Sequence, residues 1–350
     1  MNQKMKLKGN LILLLTALIW GSAFVAQSSA ADVIETFTYN MSRSVLGTLV
    51  LLPVIYISGR QRALQEDLSR FEAAYSGSDA SGGSSGSNGS DSSNGANRSG
   101  NRGPSSTGSA GVTTGSFSDI MLPDRNTFIG GICCGIILAA ASGFQQAGLA
   151  QTTAGKGGFI TALYIIMVPI AGMFLGKRVA PVIWLCVAMA ITGFYLLCVN
   201  EGFSISRGDI LVLICAICFT GHILVVDRFS ALNTDPVKMS CIQFATSAVI
   251  SGIIMLLFEH PTWEAIWAAR IPILYAGVLS SGVAYTLQII GQRYTDPTTA
   301  TLLMSLESVF AALSGWLILH ETFSAKELAG CVLVFAAVIL AQVPLPVKKK

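Results

Sequence analysis

Glu307 is a carboxylate carried well inside an apolar, helix-forming run that begins at Thr298 and reads TTATLLMSLESVFAALSGWLILHE. An acid at the centre of a membrane span costs ~2.5 to 3.5 kcal/mol, so it faces a pathway or a proton site rather than lipid. Arg43, beside Asn40 and Ser42 in the run 36–57, has two expected lives. Its long side chain can snorkel to headgroups, or it can face the bundle interior and offer a planar fork to a carboxylate. Ser281, Tyr285, Gln288 and Gln292 step along one helix face, and so do Thr16, Trp20, Ala23 and Gln27. Such stripes suit a polar cavity or hydrogen bonds between helices. Gln145 and Gln146 offer the same two choices. His222, in ICFTGHILVV, is either a proton-responsive group or a satisfied core residue.

The elements that carry these residues are membrane spans. The 350 residues are 52% hydrophobic and only 12% charged, with a mean hydropathy of +0.62. Soluble chains are about 25% charged, so this composition belongs in a bilayer. Apolar runs fall at 11–30, 36–57, 128–150, 157–175 and 181–199, then at 209–226, 237–258, 271–291, 298–320 and 325–343. The first run follows Lys4, Lys6 and Lys8 and reads as a retained span rather than a leader. Short links make neighbours antiparallel, and Pro169 is a place where the fourth run can kink.

Between the second and third runs the chain changes character. Residues 60–75 place Leu64, Leu68, Phe71 and Tyr75 at helical spacing, which predicts a short interfacial helix. Residues 76–118 are a Ser/Gly/Asn tract that cannot offset the entropy of ordering and is expected to be a disordered tether. The resulting division is 1–58 and 128–200 for a first unit, 59–127 for an insertion, and 207–347 for a second unit.

The second unit repeats the first. Arg43 corresponds to Gln243 and Gln145 to Gln288. A unit with an odd number of crossings re-enters the membrane upside down, so the expected fold is an all-α polytopic membrane protein of about ten helices in two inverted five-helix repeats, with a site at their interface near the midplane. With the amino terminus inside, only Lys156, Arg207, Arg270 and Lys326 fall outside, which places both termini in the cytoplasm.

The hairpin residues Glu307, Val309, Phe310, Ala311, Ala312, Leu313, Glu321 and Gly330 resemble the closing hairpin of EamA-type transporters, of the drug/metabolite transporter superfamily. LIWGSAFVAQ resembles their opening helix, NMSRSVLGTL their second, and GLAQTTAGKGGFITALYIIMVP their third-to-fourth passage. Ser308 stands where the pattern has proline, and the long insertion replaces a short connection. The resemblance implies a carrier in the cell membrane that moves a small polar metabolite, an amino acid or related compound, outward by alternating access, with a proton as a candidate coupling ion. It favours an interior Arg43. The cavity candidates are Trp20, Gln27, Arg43, Gln145, Tyr164, His222, Gln243, Tyr285, Gln288 and Glu307.

No cofactor, metal or nucleic-acid partner is expected. The three histidines, His222, His260 and His320, have no metal-ligand spacing, and the eight cysteines lie in apolar runs. Monomer and homodimer both stay open. The rival readings are a non-transporting sensor or scaffold that works through the tether, and a membrane-embedded enzyme, for which no nucleophile or metal constellation is present.

Overall fold

Apolar runs of bilayer length fold as helices because only a helix satisfies its own backbone in lipid. A computed structural model describes residues 3–79, 120–174, 181–198, 205–232, 234–292, 294–295 and 303–342, and these are overwhelmingly helical, with no extended strand among them. In chain order the helices are α1 (Gln3–Ala31), α2 (Thr36–Asp79), α3 (Arg125–Leu149), α4 (Ala154–Thr161), α5 (Tyr164–Phe174) and α6 (Val182–Cys198). They continue with α7 (Arg207–Ser230), α8 (Pro236–Phe258), α9 (Trp263–Ala268), α10 (Arg270–Leu274), a π-helix (Tyr275–Ala284), α11 (Tyr285–Gln292), α12 (Glu307–Ile318) and α13 (Ala325–Gln342). Among the described residues, seven helical stretches are long and apolar enough to cross a membrane, and Val182–Cys198 and Glu307–Ile318 are shorter apolar helices. The chain is therefore an all-α polytopic membrane protein.

Two compact units divide it, one comprising residues 1–53 and 123–350, the other 54–122. In the second, α2 runs on as helix and Ile120 packs on it at Gly59. The separate interfacial helix expected at 60–75 is instead the continuation of α2, which runs through Gly59 with no proline between 57 and 75 to stop it. Leu64, Leu68 and Phe71 are exposed on it. The tract 76–118 is helical as far as Asp79, and the rest of it lies outside the described residues.

In the first unit, side-chain caps start α3, α4, α8 and α9. Asp124 accepts from Asn126 N–H (3.0 Å) and Thr127 N–H (3.1 Å) at the head of α3. The Thr127 hydroxyl also donates to it, and that bond, with the backbone donors, holds its carboxyl below the ordinary carboxylate range. Asp235 caps α8 just ahead of Pro236, where a missing N–H costs nothing. The largest core cluster joins Phe159, Ile160, Leu163 and Ile166 of the α4–α5 region to Cys186 and Ala190 of α6, Val212 of α7, and Val334 and Val338 of α13.

Two spans read as continuous are broken. The fourth run divides into α4 and α5 at Ala162 and Leu163 rather than at Pro169, which lies within α5. In the ninth, Leu303 and Met304 are helical, Ser305 and Leu306 form a turn, and α12 begins at Glu307. Glu307 thus opens a helix rather than sitting in the middle of one. Twelve residues rise ~18 Å, short of a ~30 Å bilayer core, so α12 is part of a span and not a whole one.

Candidate functional site

Both breaks are closed by short-range bonds. Leu163 N–H reaches Ile160 O at 3.2 Å, Ile165 N–H reaches Ala162 O at 3.1 Å, and Leu306 N–H reaches Leu303 O at 3.3 Å. These i to i−3 bonds tighten the chain into single 3₁₀-like turns. At the second break the Ser308 hydroxyl donates to Ser305 O at 3.1 Å. The helix is thus interrupted here although Ser308 stands where the resemblance led proline to be expected.

The two breaks face each other. α4 crosses α12 at Gly158, where a Cβ would lie 2.5 Å from that of Ala311, so only glycine permits the approach. Beside this crossing a cavity of about 10 Å³ is lined by Thr161, Tyr164, Ser305, Glu307 and Ser308 among others. That volume holds about one water. Tyr164 and Glu307, each the first residue of the helix after its break, meet there.

An aromatic and polar wall continues from this point. Tyr285 is within electrostatic range of both Glu307 and Arg43, and Tyr164 of Glu307 and Tyr285. The Trp20 ring meets Tyr285 edge-on at 5.1 Å, and Phe244 meets it at 5.3 Å. Trp20 Nε1–H donates to the Ser280 carbonyl at 3.0 Å. Ser280 lies in the π-helix, whose wider turn changes the register of the expected 281–292 stripe. As a result Ser281 packs on α2 at Gly47, while Tyr285 joins the aromatic wall. Gln288 is half-buried one turn further along, and the Gln292 side chain lies outside the described residues.

Arg43 stacks over the Tyr39 ring at 5.7 Å and is close to Tyr285 and Cys215. Among the described residues no carboxylate pairs with Arg43 and no cation pairs with Glu307. His222 bonds to Gln243 at 3.0 Å, and Phe219 bridges it to Tyr164 with ring separations of 6.3 Å on each side. The structure thus gathers Trp20, Arg43, Tyr164, His222, Gln243, Tyr285 and Glu307 into one connected set. Gln27 and Gln146 lie elsewhere, whereas Gln145 borders the cavity through Thr161, one of its lining residues. Gln146 donates to the Gln27 carbonyl at 2.8 Å, which ties α3 to α1, and Gln145 approaches the Thr161 hydroxyl at 3.5 Å.

Sequence reasoning missed Thr161, Phe219, Phe244, Ser305 and Ser308. Only Ser308 carried a signal, as the departure from proline. Among the described residues no three His, Cys, Asp or Glu side chains group to hold a metal. A larger cavity of about 440 Å³ lies at the helix ends and includes Asp32, Glu35, Glu259 and His260. Two of its acids are already engaged: Glu259 accepts from Phe37 and Thr38 N–H, each at 2.7 Å, and Glu35 accepts from His260 N–H at 2.8 Å.

A family model described as the EamA-like transporter family matches residues 7–77 and 206–342, over half of the chain. An uncharacterized transporter of Archaeoglobus fulgidus is 32% identical over 198 residues, covering 56% of this chain and 63% of the relative. A chloroplastic WAT1-related protein of Arabidopsis thaliana is 25% identical over 220 residues, covering 58% and 51%. An uncharacterized transporter of Bacillus subtilis is 22% identical over 138 residues, covering 38% and 46%. The chain thus spans about half to 63% of the length of these curated relatives. A solved crystal structure at 16% identity shares the fold, with a TM-score of 0.57 over 95% of this chain and 97% of that one.

Proposed function

Because the chain belongs to the EamA-like transporter family, we propose that it is a secondary carrier that exports a small polar metabolite across the cell membrane by alternating access. The observation that carries this reading is the meeting of Tyr164 and Glu307 at two facing helix breaks, beside a nearly closed cavity. Broken spans at corresponding places of two halves are a mark of carrier sites, because loosened backbone is tolerated in a membrane only where it lines a cavity. Ten crossings in two inverted repeats, with both termini cytoplasmic, fit this arrangement and the distribution of basic residues.

Arg43 offers two parallel donors to an anionic group of the substrate. Glu307 takes a proton or a cationic group, and Trp20, Tyr285 and Phe244 cover an apolar or aromatic body. The amino acid class matches this pairing of charges. A lone carboxylate away from water is costly, so neutralising Glu307 stabilises the closed cavity and couples occupancy to conformation. The test is flux of a substrate panel, amino acids first, through the full chain in proteoliposomes, with and without a proton gradient. Gradient-stimulated flux of one class supports the reading, and no flux of any class overturns it.

A further inference from the structure

One end of α4 is gripped by three carboxylates, all from the second half of the chain. Ala154 and Gly155 N–H, the first amides of α4, donate to Glu321 at 2.6 and 3.0 Å. Lys156, one residue further, pairs with Glu327 of α13 at 2.5 Å. The Thr152 hydroxyl donates to Asp209, in the first turn of α7, at 2.5 Å. The Phe323 ring lies against Gly155. An ammonium and the positive end of a helix thus meet three anions.

The backbone around Glu321 is adapted to this contact. His320 has a φ of 56°, a left-handed conformation uncommon outside glycine, and it turns the chain back after α12. Glu321 N–H then donates to Gly315 O at 3.2 Å. A Cβ at Gly315 would collide with the Glu321 carboxylate, so glycine there makes its room. Positive-φ strain of this kind persists only where surrounding contacts hold it.

The grip acts on the elements that form the cavity. α4 leads from these amides through Gly158 to the break before Tyr164, and α12 leads from Glu307 through Ala311 to Glu321. The two helices form a seam with the cavity at one end and the carboxylates at the other. Access to the cavity from the carboxylate end requires α4 and α12 to part, and Glu321 must first release two amides.

We propose that Glu321, with the Lys156 to Glu327 pair, is the gate latch at this end of the carrier. It holds the α4–α12 seam shut and releases when the cavity opens to that side. The proposal rests on the carrier reading above, but its test needs no substrate.

Ser308→Cys places a near-isosteric thiol in the cavity wall. Its modification by a membrane-impermeant maleimide, added to either side of sealed proteoliposomes, is read at that peptide by mass spectrometry. With the latch intact, labelling from the latch side is slow. Glu321→Gln speeds it by about tenfold or more, the effect of weakening charge-assisted bonds that hold one state. Lys156→Glu and Glu327→Lys each speed it, and the double exchange restores slow labelling. The double exchange is also the decisive arm if Glu321→Gln does not insert. Glu259→Gln, which loses an equally short cap on α2, leaves the rate unchanged. A rate unaffected by Glu321→Gln and by both single reversals overturns the latch, as does an equal rise in Glu259→Gln. Absence of flux with a latch-dependent labelling rate would count against the carrier reading alone.

Discussion

Single side chains carry the charge logic of this protein. Glu307→Gln keeps the size and removes the acid, so gradient-stimulated flux should vanish while the protein still inserts and elutes as a folded species. Persistence of pH-dependent flux would remove Glu307 from the mechanism. Arg43→Lys keeps the charge but loses the planar fork, and the half-saturating concentration of an anionic substrate should rise about tenfold with little change in maximal rate. Outside the membrane, Asp124→Ala removes the α3 cap at a cost of about 0.5 to 1 kcal/mol, the low end for caps because the site is exposed. The folded-state pKa of Asp124 is depressed. Its stabilisation is therefore complete above the unfolded carboxylate pKa and fades as pH falls through the folded one. The melting difference between wild type and Asp124→Ala should accordingly be largest near neutrality and shrink in acid.

At the scale of elements, the seam between α4 and α12 is the sensitive place. Gly158→Leu should destabilise the fold by about 1 to 3 kcal/mol through overpacking against Ala311, and flux should fall more than detergent stability does. Of the ten expected spans, the seven long apolar helices found among the described residues were legible in the sequence, because bilayer length and apolar composition are read directly from residue order. The breaks were not, because neither depends on the usual punctuation. Ala162, Leu163, Ser305 and Leu306 are ordinary helix residues, and their turns are held by i to i−3 bonds and by one serine hydroxyl that only tertiary packing selects. Pro169, where a kink was expected, lies inside α5, and the interruption falls earlier, at Ala162 and Leu163. The continuation of α2 was hidden by a change of composition rather than of conformation. Glu307, Arg43 and Tyr285 were legible because polar groups in apolar runs need a reason. Phe219 and Phe244 were not, because a phenylalanine in an apolar run looks like any core residue. Glu321 was legible only as a motif letter, and its contact with α4 joins residues 167 positions apart.

For the molecule as a whole, deletion of residues 80–118 separates the carrier from a scaffold. Flux should be retained within about twofold, since loop-length changes alter closure entropy only weakly. Its loss with normal insertion would favour the scaffold. Reporter fusions should place both termini on the cytoplasmic face. The cavity at the two breaks, with room for about one water, has an electrical consequence. A void of that size holds no continuous column of solvent, so on the carrier reading this conformation offers ions no water-filled path past Glu307. Planar bilayers loaded with it should therefore show no ohmic leak, and current, if any, should appear only as cargo turns over.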